Sequence, residues 1–234
     1  MESPEKKSKF QILVKYFLDN FPFEILIGEE TPRGFQEERA KFYFEEISEL
    51  DSALRKIEKY SVYFSEFYPD SQKISEAEAI EYHWHSYIQD FYILEERAKT
   101  IIGALKNDLP RYDIGNPEVA KRLLCHLKDQ ITISLKKAHD LRVRHTHKKM
   151  VRNYDLTRAI ALKTIKNNTE GLKLKVSEID KKIEQFTTKS KNDYIKMANR
   201  NELGMKEFRN FFAPRFGYLF AFLNEHDVSI FKVD

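Results

Sequence analysis

The sequence predicts an all-α fold, an antiparallel bundle of about six to seven helices with at most a minor two-stranded element. Three observations predict it. Apolar residues recur three and four apart through most of the 234 residues, which puts them on one helical face. Glycine and proline are scarce, seven of each, and neither occurs between Pro117 and Gly171. Capping signatures stand where the periodic segments begin. The composition agrees: it is 41% hydrophobic and 33% charged, with 18 Phe and 12 Tyr to bury, unlike a disordered or fibrous chain.

Each element follows from its own residues. Residues 9–20 form a short helix, with Phe10, Leu13, Val14 and Phe17 on one face. Phe23 to Ile27 (FEILI) reads as a short strand stopped by Gly28 and the Thr31–Gly34 turn, with Val228–Val233 as its candidate partner. A long helix is expected from Phe35 to about Phe67, carrying Phe44, Ile47, Leu54, Ile57, Ser61 and Phe64 as a stripe. Tyr68-Pro69-Asp70 ends it. Ser75 and Glu78 make a capping box, in which each side chain satisfies the other's backbone N–H, and open a helix to about Lys106. Its run Tyr82-His83-Trp84-His85, followed by Tyr87, Ile88, Phe91, Tyr92 and Leu94, implies burial on more than one side. After a loop, Asn116 as N-cap and Pro117 at the first position start another helix, with Leu123, Leu127, Ile131, Leu135 and Ala138 as its stripe.

Asp140 suits an N-cap, so a break is expected at His139–Asp140, with a new helix from Leu141. Beyond Gly171, Leu172, Val176, Ile179, Ile183 and Phe186 recur as a two-heptad seam, which suits an antiparallel pair or self-association. Asn201–Gly204 reads as a break, and Phe216–Leu223 as a last apolar helix. Residues 1–171 form the expected core and 172–234 a helical hairpin packed on it, within one domain overall.

Charge is unevenly distributed. Residues 1–120 carry 15 Lys and Arg against 24 Asp and Glu, whereas residues 121–200 carry 21 against 8. Such a basic block faces nucleic acid or an acidic surface, or docks on the acidic N-terminal part of its own chain or of a second copy. No apolar run is long enough to span a bilayer, no signal-peptide pattern opens the chain, and Cys125 has no intrachain partner. The expected setting is cytoplasmic and reduced, with no membrane.

The phosphate-loop, dinucleotide-turn, CxxC, HExxH and nucleophile-elbow patterns are all absent from the sequence, and no cofactor or metal is expected. Cys125 and His126 are adjacent and point about 100° apart on a helix, which does not make a catalytic pair. His83 and His85, two apart, diverge by about 200° and cannot share a metal; each is expected to be a buried or half-buried histidine bonded to a neighbour.

His139–Met150 (HDLRVRHTHKKM) is the densest stretch in groups that hold phosphate or move protons. On a helix, Arg142 with His145 and Arg144 with His147 share faces. Arg142 and His147 lie about 140° apart and converge only if a helix starts near Asp140, where unpaired N–H groups would also favour an anion. A histidine can exchange a proton with an RNA 2′-hydroxyl or leaving oxygen, and a guanidinium can grip the phosphate.

The spacing Arg142-x4-His147 in an α-bundle resembles the HEPN superfamily, whose hallmark is R-x4–6-H, over residues of about 75–165. The resemblance implies a metal-independent endoribonuclease, often of toxin or phage-defence systems and usually a homodimer. In that case Arg142 would hold the scissile phosphate and His147 would act as acid/base, with Arg144, His145, Lys148 and Lys149 as substrate-binding residues and RNA as substrate. The rival reading is a non-enzymatic helical interaction module that uses the basic 121–200 segment to bind nucleic acid or an acidic partner.

Overall fold

The computed structural model describes residues 9–68, 73–109, 117–143, 153–168 and 176–220. Among these the chain is all-α: eight helices and no strand. They are α1 (Lys9–Asn20), α2 (Phe23–Leu26), α3 (Phe35–Glu58), α4 (Tyr60–Glu66), α5 (Glu76–Asp108), α6 (Pro117–Val143), α7 (Tyr154–Asn168) and α8 (Val176–Phe220).

Several boundaries stand where local chemistry puts them. The Ser75/Glu78 capping box forms: the Ser75 N–H donates to Glu78 Oε2 at 2.7 Å and the Glu78 N–H to Ser75 Oγ at 3.3 Å. Ser75→Ala is therefore expected to cost about 1 kcal/mol of stability, read as a shift in the urea midpoint at constant slope. Pro117 is the first residue of α6, where its missing N–H has no cost.

Other expectations are corrected. FEILI is a single helical turn, not a strand. Ile25 and Leu26 are both buried, which adjacent strand residues facing opposite sides of a sheet would not achieve without a second covered face. Its supposed partner, Val228–Val233, lies outside the described residues. The helix expected over 35–67 is interrupted at Lys59. A tight Lys59 N–H to Lys56 carbonyl bond of 3.0 Å resets the helix as α4, and Tyr60 rather than Ser61 turns inward.

No break occurs at His139–Asp140: α6 runs through both to Val143. Asp140 in a helix interior costs under about 1 kcal/mol relative to alanine, and no glycine or proline forces a stop. The next described helix starts at Tyr154. Its cap is Asn153, whose Oδ1 accepts the N–H groups of Asp155 (3.0 Å) and Leu156 (3.2 Å) and the buried Ser190 hydroxyl (3.1 Å). Asn153→Ala removes all three bonds, so a loss of about 1–2 kcal/mol is expected, with Asn153→Asp largely retaining stability.

α8 also passes through Asn201–Gly204 and Pro214 without ending, so a single helix spans 176–220 where a hairpin is expected. Helical proline costs about 3 kcal/mol. Phe212, Phe216 and Phe220, all buried around it, each contribute about 1.5–3 kcal/mol by leaving water. Arg215 Nη1 also donates to the Phe211 carbonyl at 2.7 Å, next to the Asn210 carbonyl that Pro214 leaves without its helical donor.

The helices divide between two compact units, with the boundaries falling inside α3, α5, α6 and α8. Unit 1 comprises 1–55, 92–136 and 204–234, and its core gathers Phe17, Tyr43, Ile47, Leu94, Ile101, Leu105, Leu127 and Phe220. Three buried carboxylates in this unit are held by arginines: Glu46 by Arg97 (2.9 Å), Asp51 by Arg55 (2.7 Å) and Asp108 by Arg39 (2.6 Å).

Unit 2 comprises 56–91 and 137–203. Its core is aromatic. Trp84 stacks on Tyr194 with centroids 4.8 Å apart, Phe64 stacks on Tyr194 at 5.2 Å, and Tyr87 meets Tyr60 edge-on at 4.7 Å. Burial pushes the pKa values of the Tyr87 and Tyr194 hydroxyls up to about 12.

Candidate functional site

Of the residues singled out for phosphate chemistry, Arg142 falls in the last turn of α6. Arg144, His145, His147, Lys148 and Lys149 lie outside the described residues. The last turn of a helix presents carbonyl groups and the negative end of the dipole, so α6 does not offer Arg142 the anion-favouring helix start that the sequence suggests.

His83 is the buried histidine expected of it. Its Nε2 lies 2.7 Å from the Phe67 carbonyl, and the Tyr63 and Phe67 rings each stand 6.0 Å away. Cys125 and His126 are both exposed, and the His126 ring lies 5.8 Å from Phe211. Among the described residues, no group of three or more His, Cys, Asp or Glu is placed to hold a metal ion.

Unit 2 contains a cleft of about 790 Å³, open to solvent. Helical spacing builds both walls. Lys56, Tyr60, Tyr63 and Phe67 recur four, three and four apart through the end of α3 and α4, and Tyr82, His85 or Ser86, and Gln89 recur along α5. The floor holds Asp90, only 8% exposed, which accepts the Tyr60 hydroxyl at 2.7 Å. The rim carries two exposed rings, Tyr82 (69%) and Phe67 (65%). The aromatic run in α5 is visible in the sequence. The opposing Tyr60/Tyr63/Phe67 row is also at helical spacing, but the stripe expected over 35–67 runs through Ser61 and Phe64 instead.

No family model, curated protein or solved structure matches the chain. What the cleft can hold follows from its own chemistry.

Burial pushes the Asp90 carboxyl above its ordinary range, against the opposing pull of the Tyr60 bond and the Lys56 ammonium. A carboxyl raised in this way binds more protons folded than unfolded. Its contribution to stability is full below the unfolded value of about 3.9 and is lost as pH rises through the folded value. Asn keeps an acceptor for Tyr60 and removes the buried charge. Asp90→Asn is expected to be at least as stable as wild type near neutral pH, with the difference closing on acidification. Urea titrations across pH check this, and a variant clearly weaker at neutral pH refutes it.

The basic block is partly neutralised within unit 2. Lys191 pairs with Glu76 at 2.9 Å and Lys163 with Glu78 at 3.5 Å, joining it to acidic residues of α5. Lys166 pairs with Asp180 and Lys189 with Asp155, each at 2.6 Å. Arg158, Lys181, Lys182, Lys196 and Arg200 are also exposed. Of the heptad seam, Leu172 lies outside the described residues, Val176 is exposed, and Ile179, Ile183 and Phe186 are half-buried; full burial in α8 begins at Thr187. No described helix is long and apolar enough to cross a membrane.

Proposed function

We propose that the chain is a helical module that binds nucleic acid through the part of the basic 121–200 segment that lies in unit 2. The exposure of Arg158, Lys181, Lys182, Lys196 and Arg200 on α7 and α8 carries this reading. Unit 2 holds 20 Lys and Arg against 15 Asp and Glu. Exposed ion pairs hold weakly, so the paired lysines can exchange a carboxylate for a phosphate. Fluorescence anisotropy with a short labelled RNA tests it. Affinity is expected to fall at least about tenfold between about 50 and 200 mM salt, and to fall again when Lys181, Lys182 and Lys196 are changed to Glu. Salt-insensitive or undetectable binding rejects it.

The endoribonuclease, working as a homodimer, is the second reading. It is supported by the HEPN-like Arg142-x4-His147 spacing, while the place of Arg142 in the last turn of α6, with no helix start at Asp140, weighs against it. The same RNA incubated with EDTA separates the readings. It stays intact if the module only binds. Cleavage leaving 2′,3′-cyclic phosphate ends, lost in His147→Ala, selects the enzyme.

Self-association through the Ile179/Ile183/Phe186 stripe belongs to the same proposal. Sedimentation should show a smaller assembly for Ile179→Asp than for wild type; an unchanged mass excludes that stripe.

A further inference from the structure

We propose that the α4–α5 cleft of unit 2 binds a free amino acid with an aromatic side chain, its ammonium on Asp90, its carboxylate towards Lys56 and its ring against Tyr63. The inference goes beyond the basic-surface reading and does not depend on it, because the cleft has its own walls and its own charged groups.

Asp90 is 8% exposed and lines the cleft. Its Oδ2 accepts the Tyr60 hydroxyl, and its other oxygen, Oδ1, bonds no described residue. A carboxylate held among rings with one oxygen unpaired lacks a donor, and a ligand ammonium supplies one as a charge-assisted bond. An amine alone fits less well, because Lys56 lines the same cleft. The Lys56 ammonium is near enough to pull on the Asp90 carboxyl, yet the two form no ion pair. A cation and an anion close together but out of contact suit a zwitterion that bridges them. In an amino acid, one carbon separates the ammonium from the carboxylate.

The spacing along the wall fits one such molecule. Lys56, Tyr60 and Tyr63 follow four and three residues apart, so the wall from Lys56 to Tyr63 rises about 10 Å. The ammonium stands at the middle of this span, beside the Tyr60–Asp90 bond. The carboxylate points one turn back to Lys56, whose exposed side chain is free to meet it. The side chain points one turn on to Tyr63, a half-buried ring 5.2 Å from that of Tyr60, and an aromatic group there gains area and ring geometry together.

Isothermal titration of the full chain with L-phenylalanine tests the proposal, with three analogues that each lack one feature. Phenylalanine is expected to bind saturably. 3-Phenylpropionate lacks the ammonium and phenethylamine the carboxylate, and each should bind about tenfold more weakly. Glycine lacks the ring and should be weaker by at least about tenfold. Asp90→Asn keeps the bond to Tyr60, so it should stay folded by circular dichroism. It should weaken phenylalanine about tenfold and remove its advantage over 3-phenylpropionate, which a merely structural effect would not do. Absence of saturable phenylalanine binding, equal binding of 3-phenylpropionate or of glycine by wild type, or undiminished binding by Asp90→Asn overturns the site. Charge reversal of Lys181, Lys182 and Lys196 should leave phenylalanine binding unchanged, so this site and the basic surface fail separately.

Discussion

Asp108→Ala is expected to destabilise the chain by about 3–5 kcal/mol, as loss of one partner of a buried ion pair does. Asp108 is nearly buried at the end of α5, and one oxygen, Oδ2, accepts both Arg39 Nε at 2.6 Å and the Tyr43 hydroxyl at 2.7 Å. Tyr43 is fully buried, so alanine would strand its hydroxyl as well as the guanidinium. Burial and the bond to Asp108 push the Tyr43 hydroxyl far above its ordinary value, so it remains a donor at any physiological pH. Asp108→Asn keeps an acceptor for Tyr43 but no longer offers Arg39 a charge, and an intermediate cost is expected. Urea unfolding of both variants checks the order; a loss below about 1 kcal/mol for alanine would make the triad incidental.

In unit 2, Phe64→Ala should cost about 3–5 kcal/mol. Phe64 is fully buried, stacks on Tyr194 and lies 5.8 Å from the Tyr60 ring and 6.0 Å from Tyr87. Its removal opens a cavity among the Tyr60, Tyr87 and Tyr194 rings, of which Tyr60 is tethered by its bond to Asp90. Phe64→Leu refills most of the space, and a smaller loss is expected. If alanine and leucine cost the same, packing at this point does not limit stability.

Part of the cleft is legible without the fold. The Tyr82-His83-Trp84-His85 run implies dense burial, and His83 is enclosed by rings as that density requires. The facing row also stands at helical spacing, but the stripe expected over 35–67 takes Ser61 in place of Tyr60, and no glycine or proline marks the turn at Lys59. The helix start at Asn153 competes with Asp140 on equal terms. Both residue types cap well, and nothing local says which of the two the chain will use.

Features that depend on neighbours within one turn are set by the chain itself: the helical class, the capping box at Ser75/Glu78 and the start of α6 at Pro117. Where helices fail to stop is a tertiary matter. Asp140, Gly204 and Pro214 each disfavour a helix by roughly 0.5–3 kcal/mol. Whether that tips the chain into a break depends on how much flanking apolar surface a continuous helix buries, and around Pro214 three buried phenylalanines outweigh it. The cleft is of the same kind: Lys56, Tyr63, Tyr82 and Asp90 come from separate helical turns, and only packing makes them one site.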